Sequence, residues 1–137
     1  MVNARTVEYF YTRVEDEPAK TYELLASLAS EDINLLAFSA VPFGPNHIEL
    51  TLFPDQPRQL LRLAEKLKWS FTGPQHACLV QGDDRLGALA EIQKKLLQAG
   101  VKIYASSGVT DSSGHFGYVI YFKEGDHQRA TEALANL

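Results

Sequence analysis

An internal repeat constrains the fold of this chain more than any other feature of its sequence. When the 137 residues are shifted against themselves by 68 positions, the 47 pairs from Val7/Gln75 to Phe53/Tyr121 align without a gap. Apolar positions align with apolar positions and turn positions with turn positions, so two copies of one supersecondary unit are predicted. Seven of the aligned pairs are identical: Asp16/Asp84, Glu23/Glu91, Leu28/Leu96, Ala37/Ala105, Ser39/Ser107, Val41/Val109 and His47/His115.

Each copy shows the same order of predicted elements, β-α-β-β-α. The helical signal is clearest in the second copy, where apolar residues recur at helical spacing until Gly100 ends the pattern. Segments rich in β-branched and aromatic residues flank each helix and predict strands. Turn clusters such as Asp111-Ser112-Ser113-Gly114 then predict a hairpin between the second and third strands of each copy.

This order predicts an α+β fold of two tandem ferredoxin-like modules, each an antiparallel sheet with helices on one face. A complete βαββαβ module needs a fourth strand. In the first copy the segment 69–72 is expected to supply it, before Gly73-Pro74 turns the chain. The second copy ends at Leu137 inside a predicted helix, so its fourth strand is expected to be missing. The predicted modules are residues 1–72 and 73–137.

The missing strand leaves a sheet edge whose backbone groups need partners. The segment that begins at Trp69, or another subunit, is expected to cover this edge. We therefore expect a homodimer or a larger assembly of this chain.

Charge and composition exclude several classes of partner. The chain carries 13 basic and 17 acidic side chains and no run of Lys or Arg, which argues against nucleic acid. Its fully apolar runs are only a few residues long, and its start lacks the apolar centre of a signal peptide, so no membrane segment is expected. Cys78 is the one cysteine, which excludes internal disulfides and clusters of cysteine ligands. A cytoplasmic protein is predicted.

No motif in the chain predicts catalysis. A Gly-x-Gly-x-x-Gly turn, a P-loop and a nucleophile elbow are all absent from the sequence, and the four histidines lack metal-ligand spacing. Asp83 and Asp84 are adjacent and invite an interpretation as general acid and base, but helix capping explains them with fewer assumptions. We therefore expect no catalytic residues, no metal and no cofactor.

The two strand-to-helix turns resemble the signature of the ACT domain, whose pattern is Asp-x-Pro-Gly-x-Leu, a helix, and then Ala-Gly-Val-Asn-Ile. Leu86 stands in place of the family proline, Lys102 in place of the asparagine, and Ala19 in place of the first copy's glycine. The second copy matches at Asp84, Gly87, Leu89, Ala99, Gly100, Val101 and Ile103, and the first copy at Asp16, Pro18, Ile33 and Asn34.

This resemblance implies a small regulatory module that binds amino acids or similar metabolites where paired modules meet. A chain without an enzyme domain would then be a non-catalytic sensor that acts on a regulated enzyme in trans, or through its own assembly. The physical reason is general, because the N–H groups at a helix N-terminus favour a carboxylate.

The family elements are divided between the copies, which predicts one composite ligand site. The glycine is present only in the second turn and the asparagine only in the first copy. The expected ligand-binding residues are Asp84, Arg85, Leu86, Gly87 and Ala88, together with Asn34 and Leu35.

Three other interpretations stay open on the sequence. In the first, the ligand sites have decayed at Ala19, Leu86 and Lys102, and the protein is a structural module that works through sheet-edge or helix-face pairing. Alternatively, Gly87 merely permits close packing of helix on strand. A small enzyme on a ferredoxin-like scaffold is the third, since a fold does not determine its function.

Overall fold

The computed structural model describes residues 2–123, 125–135 and 137. Within these residues the chain forms six strands and four helices, and the predicted β-α-β-β-α order is confirmed in both copies. Both third strands begin at the histidines that the repeat aligns, His47 and His115. The elements are β1 Val2–Glu15, α1 Pro18–Ser30, β2 Leu35–Phe43, β3 His47–Pro54, α2 Pro57–Leu67, β4 Thr72–Asp83, α3 Ala88–Gln98, β5 Ile103–Thr110, β6 His115–Phe122 and α4 His127–Leu134.

The strands are hydrogen-bonded in the order β2-β3-β1-β4-β6-β5. β3 pairs antiparallel with both β1 and β2, and β6 pairs antiparallel with both β4 and β5. The repeat is visible in the register itself, because β2 has an irregularity between Leu35 and Ala37, and β5 has one between Ile103 and Ala105. These positions are aligned by the sequence repeat.

The chain divides into two compact units, whose limits differ from the predicted modules 1–72 and 73–137. The central unit is Glu8–Gln75, and the flanking unit consists of the described residues on either side of it. The difference arises at β1, a strand of 14 residues that contributes its first part to the flanking unit and its remainder to the central unit.

The start of β1 supplies the flanking unit with the fourth strand that was expected to be missing from the second copy. β1 is the neighbour of β4 in the sheet, and Val2 and Ala4 pack against the core of the flanking unit. The Thr6 and Thr131 hydroxyl oxygens lie 2.9 Å apart, which joins the strand to α4. The expectation that the Trp69 segment or another subunit covers this edge is therefore wrong.

The predicted turn at Gly73-Pro74 is also wrong, because β4 continues through both residues. Of the predicted strand 69–72 only Thr72 is in a strand, and the three residues before it have no regular structure. A Cβ on Gly73 would lie 2.8 Å from the carbonyl oxygen of Tyr9 and 2.8 Å from the Phe10 ring. Glycine is needed here because β1 passes so close and because φ is +139°, a conformation that other L-residues rarely adopt.

Each unit has its own apolar core, made by one sheet face and the helices packed on it. Full burial of a Val, Leu, Ile or Phe side chain contributes about 1.5 to 3 kcal/mol. The core of the central unit contains Phe10, Leu24, Leu28, Ile33, Leu50, Leu52, Leu60 and Leu63. The core of the flanking unit contains Cys78, Val80, Ala88, Ile92, Leu96, Val101, Phe116, Tyr118, Ile120, Phe122, Ala130 and Leu134.

The helices are short, with α1 the longest at 13 residues. α1 and α2 begin with Pro18 and Pro57 at the first helical position, where the missing proline N–H costs nothing. Among the described residues, no helix combines the length and the apolar character needed to cross a membrane.

Candidate functional site

The turn between β4 and α3 contains the residues that the family pattern singles out. The Asp84 N–H donates to the Gly114 carbonyl at 2.8 Å, which fixes the start of the turn against the β5–β6 hairpin. α3 then begins at Ala88, with Gly87 as the residue before it. The Ala88 N–H donates to the Arg85 carbonyl at 3.1 Å, whereas the N–H groups of Leu86 and Gly87 make no hydrogen bond to the described residues. These two are the backbone donors that the turn presents.

Gly87 adopts a left-handed conformation, with φ of +85°. A Cβ added to it would have no non-adjacent heavy atom within 4 Å. Close packing of helix on strand therefore does not explain the glycine, and that interpretation is wrong. The backbone conformation explains it, since other L-residues are disfavoured there by roughly 1 to 2 kcal/mol. The space beside Gly87 stays open.

A depression of about 830 Å³ lies beside this turn, between the start of α3 and the end of β5. Its lining includes Asp84–Ala88 on one side and Gly108–Thr110 on the other, with Phe116. Leu86 is fully exposed and Val109 is 72% exposed, so apolar side chains at this depression are in contact with solvent. The turn, the helix start and this apolar surface form the candidate site.

Arg85 is engaged within the turn. Its guanidinium forms an ion pair with the Glu91 carboxylate one turn into α3. The pair reduces the positive charge that Arg85 brings to the depression. The backbone N–H groups of Leu86 and Gly87 therefore remain as hydrogen-bond donors beside the depression.

Asn34 and Leu35 lie in the central unit, at the start of β2. The Asn34 N–H donates to Oδ1 of Asp55 at 3.1 Å, and the Asp55 N–H donates to the Asn34 carbonyl at 2.9 Å. The Asn34 residue is exposed, and its side-chain amide makes no hydrogen bond to the described residues. Leu35 packs against the central core. That Asn34 and Leu35 contribute to one ligand site together with the Gly87 turn stays a prediction.

The corresponding turn of the first copy differs in shape. α1 already begins at Pro18, two residues earlier than α3 in the alignment of the repeat, so Ala19 lies inside the helix. Its counterpart, Gly87, lies before the helix in a left-handed conformation. The glycine and the alanine thus hold different positions relative to their helices.

Two histidines that the sequence did not pair are neighbours in the flanking unit. The imidazoles of His76 and His127 stack with centroids 4.6 Å apart and planes 14° from parallel. One lies in β4 and the other opens α4, so no spacing rule along the chain predicts their contact. Throughout residues 2–123, 125–135 and 137, no three His, Cys, Asp or Glu side chains gather into a possible metal site.

No protein-family model matches the chain, and no curated protein matches its sequence. Its fold is nevertheless similar to crystal structures. A protein from Bacteroides thetaiotaomicron has a TM-score of 0.80 at 20% identity, over 98% of this chain and 90% of that chain. The regulatory subunit of aspartate kinase from Thermus thermophilus, in its ligand-free form, has a TM-score of 0.67 at 13% identity, over 98% and 95%. The aspartokinase alpha and beta subunits have a TM-score of 0.64 at 18% identity, over 98% and 95%.

Identities of 20% or less establish a shared fold and not a shared activity. The predicted α+β class is confirmed, as an antiparallel sheet of six strands with four helices within the described residues, an arrangement consistent with ACT-like ferredoxin folds. The tandem arrangement of two complete modules stays a prediction.

Proposed function

We propose that this protein is a non-catalytic regulatory protein that binds a small amino-acid-like ligand at the turn between β4 and α3. The observation that carries the proposal is the open, left-handed Gly87 before α3, beside a depression of about 830 Å³. The resemblance of this turn to the ACT signature supports it. So does the fold shared with a protein named as a regulatory subunit of aspartate kinase.

The ligand carboxylate is proposed to accept hydrogen bonds from the backbone N–H groups of Leu86 and Gly87, with Ala88 beside it at the helix start. The Ala88 N–H already donates to the Arg85 carbonyl at 3.1 Å. A helix N-terminus stabilises such an anion by about 0.3 to 2 kcal/mol, and glycine lets the anion approach the backbone. The apolar part of the ligand would then lie against Leu86 and Val109, whose exposed side chains lose contact with water when it binds.

Asn34 and Leu35 are proposed to complete the site when two modules face each other. The exposed, unbonded Asn34 amide supports this, because a free amide can donate to a carboxylate and accept from an ammonium group. One site per chain is expected, since the glycine and the asparagine occur once each in the two family patterns.

Assembly into homodimers is proposed as well. β2 ends the strand order, so one of its edges lacks a strand partner among the described residues. Val41 is 50% exposed and Phe43 is 43% exposed on this same strand. A second copy would cover both the edge and these side chains, and a regulated enzyme in trans would respond to the ligand-bound assembly.

A structural module with degenerate ligand sites is the second candidate. The exposed apolar residues of β2 favour it, since they support pairing with or without a ligand. The cytoplasmic location also stays a proposal, which rests on the composition of the chain.

A thermal-shift screen of the twenty amino acids separates the two candidates. A ligand present at 100 times its dissociation constant stabilises the folded protein by about 2.7 kcal/mol, which is easily detected. The regulatory proposal predicts a clear rise in melting temperature with one or a few amino acids. No rise with any of them, in a protein that light scattering shows to be dimeric, would support the structural module instead.

A further inference from the structure

A second depression, of about 340 Å³, lies in the central unit. It is bounded by the end of β1, by the first half of α1 and by the segment 68–71 that follows α2. We call it the Trp69 cleft. It lies within the central unit alone, whereas the Gly87 turn belongs to the flanking unit.

Two aromatic side chains form one wall of the Trp69 cleft. The rings of Trp69 and Phe71 meet edge to face, with centroids 6.0 Å apart and planes 77° from parallel. Both side chains are half-buried and pack against the central core. Each ring therefore has one part fixed in the core and another part in contact with solvent.

Hydrogen bonds on both sides of Trp69 hold this wall in place. The Trp69 N–H donates to the Ala64 carbonyl at 2.8 Å, which closes the end of α2. The Thr12 hydroxyl donates to the Ser70 carbonyl at 2.8 Å, which fixes the segment against β1. The aromatic wall is thus preorganised, and a ligand need not order it.

Two lysines give the cleft a positive charge. Lys20 and Lys68 both line it, and neither forms an ion pair or a cation–π contact with the described residues. Arg13 also lines it, but its guanidinium is paired with Glu49 at 3.1 Å. Glu23 is the single carboxylate of the described lining, so the cleft is positive on a chain whose net charge is −4.

The backbone at Lys68 does not itself favour lysine. Lys68 directly follows α2 and has φ of +59°, a left-handed conformation in which glycine is the preferred residue. The charge of the side chain at the cleft gives a reason for lysine at this position.

We propose that the Trp69 cleft binds a small aromatic carboxylate. The ring of the ligand lies against Trp69 and Phe71, and its carboxylate lies near the ammonium groups of Lys20 and Lys68. A charge-assisted contact to each lysine makes the carboxylate better than an uncharged group of the same shape. The site is separate from the Gly87 turn, and the two sites succeed or fail independently.

Trp69 is the only tryptophan of the chain, so its fluorescence reports on this cleft without interference. We expect phenylacetate to change the Trp69 emission in a saturable way below about 10 mM, a concentration at which a ligand of this size is expected to bind. Phenylacetamide has the same shape without the charge, and it should bind at least tenfold more weakly. No saturable change with phenylacetate, or equal binding of the amide, would overturn the proposal.

Lysine variants test the carboxylate contact. Lys68→Gly and Lys20→Gln should each weaken phenylacetate binding at least fivefold. Lys68→Gly should not lower the melting temperature, because glycine suits the left-handed backbone. Lys102→Gln removes the same charge from the flanking unit and should leave the affinity unchanged. Affinities that change equally in all three variants, or in none, would show that the carboxylate is not held as proposed.

Discussion

The backbone N–H of Asp84 lies 2.8 Å from the carbonyl oxygen of Gly114, to which it donates a hydrogen bond. The first copy repeats this bond between Asp16 and Asn46 at 2.9 Å, at the positions that the repeat aligns. Each strand-to-helix turn is therefore tied to the hairpin that follows it. In the flanking unit the bond restrains the start of the Gly87 turn, which would lower the entropy cost of the proposed ligand binding.

Gly87→Val should abolish ligand binding at this turn while the protein remains folded. The branched side chain would fill the open space beside the backbone donors, where the ligand carboxylate is proposed to lie. Calorimetric titration with the amino acid found in the thermal-shift screen measures the effect.

Gly100→Ala is the matched control for backbone strain. Gly100 also has a positive φ, +70°, and a Cβ added to it would have no non-adjacent heavy atom within 4 Å, but it lies at the other end of α3. Gly87→Ala and Gly100→Ala should therefore lose similar stability, about 1 to 2 kcal/mol each. Only the substitution at Gly87 should weaken binding. Equal affinities in both variants would remove the Gly87 turn from the ligand site.

Asn34→Ala should weaken ligand binding by about 1 to 3 kcal/mol if its amide bonds the ligand in a desolvated site. The fold should be unaffected, because Asp55 holds Asn34 through backbone groups that alanine keeps. Calorimetry of the variant gives both the affinity and the number of sites per chain. An unchanged affinity, or two equal sites per chain, would contradict the composite site.

The repeat made the element order predictable, because the apolar residues of α1, β2 and β3 recur 68 positions later in α3, β5 and β6. It did not predict the path of β1. The matching pairs begin at Val7, and residues 2–6 share no identity with residues 70–74, to which the same shift aligns them, although they belong to the same strand as Val7. Strand pairing over a long sequence separation depends on the tertiary fold, and local patterns do not encode it.

The candidate site was predictable to the extent that it is local. The sequence pattern placed Gly87 in the turn before α3, and glycine readily adopts the left-handed backbone conformation that Gly87 has there. The Trp69 cleft was missed because residues 69–71 were predicted as part of a strand, since aromatic residues are typical of sheets. The His76–His127 stack was missed because it joins two elements that are far apart along the chain.

Removal of residues 2–7 should expose the thiol of Cys78. Burial raises the pKa of this thiol, against the opposing effect of the Thr131 hydroxyl, whose oxygen lies 3.7 Å from Sγ. Both a raised pKa and full burial slow the reaction with a disulfide reagent, since the thiolate is the reactive form. The intact protein should therefore label slowly, and the shortened protein at least tenfold faster. Labelling at the same rate would show that the start of β1 does not protect the flanking core.

The stacked histidines are expected to make the flanking unit less stable in acid. Burial, and secondarily the charge of His76, lowers the pKa of His127 below its usual value of 6.5. The unfolded chain keeps the usual value and takes up its proton first as the pH falls. The stabilisation is therefore complete above pH 6.5 and is lost as the pH falls from there through the lower pKa of the folded state.

His127→Gln should flatten this pH dependence, because glutamine cannot take up the proton that favours unfolding. Urea unfolding followed between about pH 7.5 and about pH 5.5, the range in which histidine titrates, measures the free energy of unfolding for each variant. His47→Gln is the matched control, since His47 is exposed at the start of β3 and stacks on no ring among the described residues. The wild type and the His47 variant should lose stability in parallel as the pH falls, and the His127 variant should lose less. A slope that is the same in all three proteins would mean that the stack does not set the acid response.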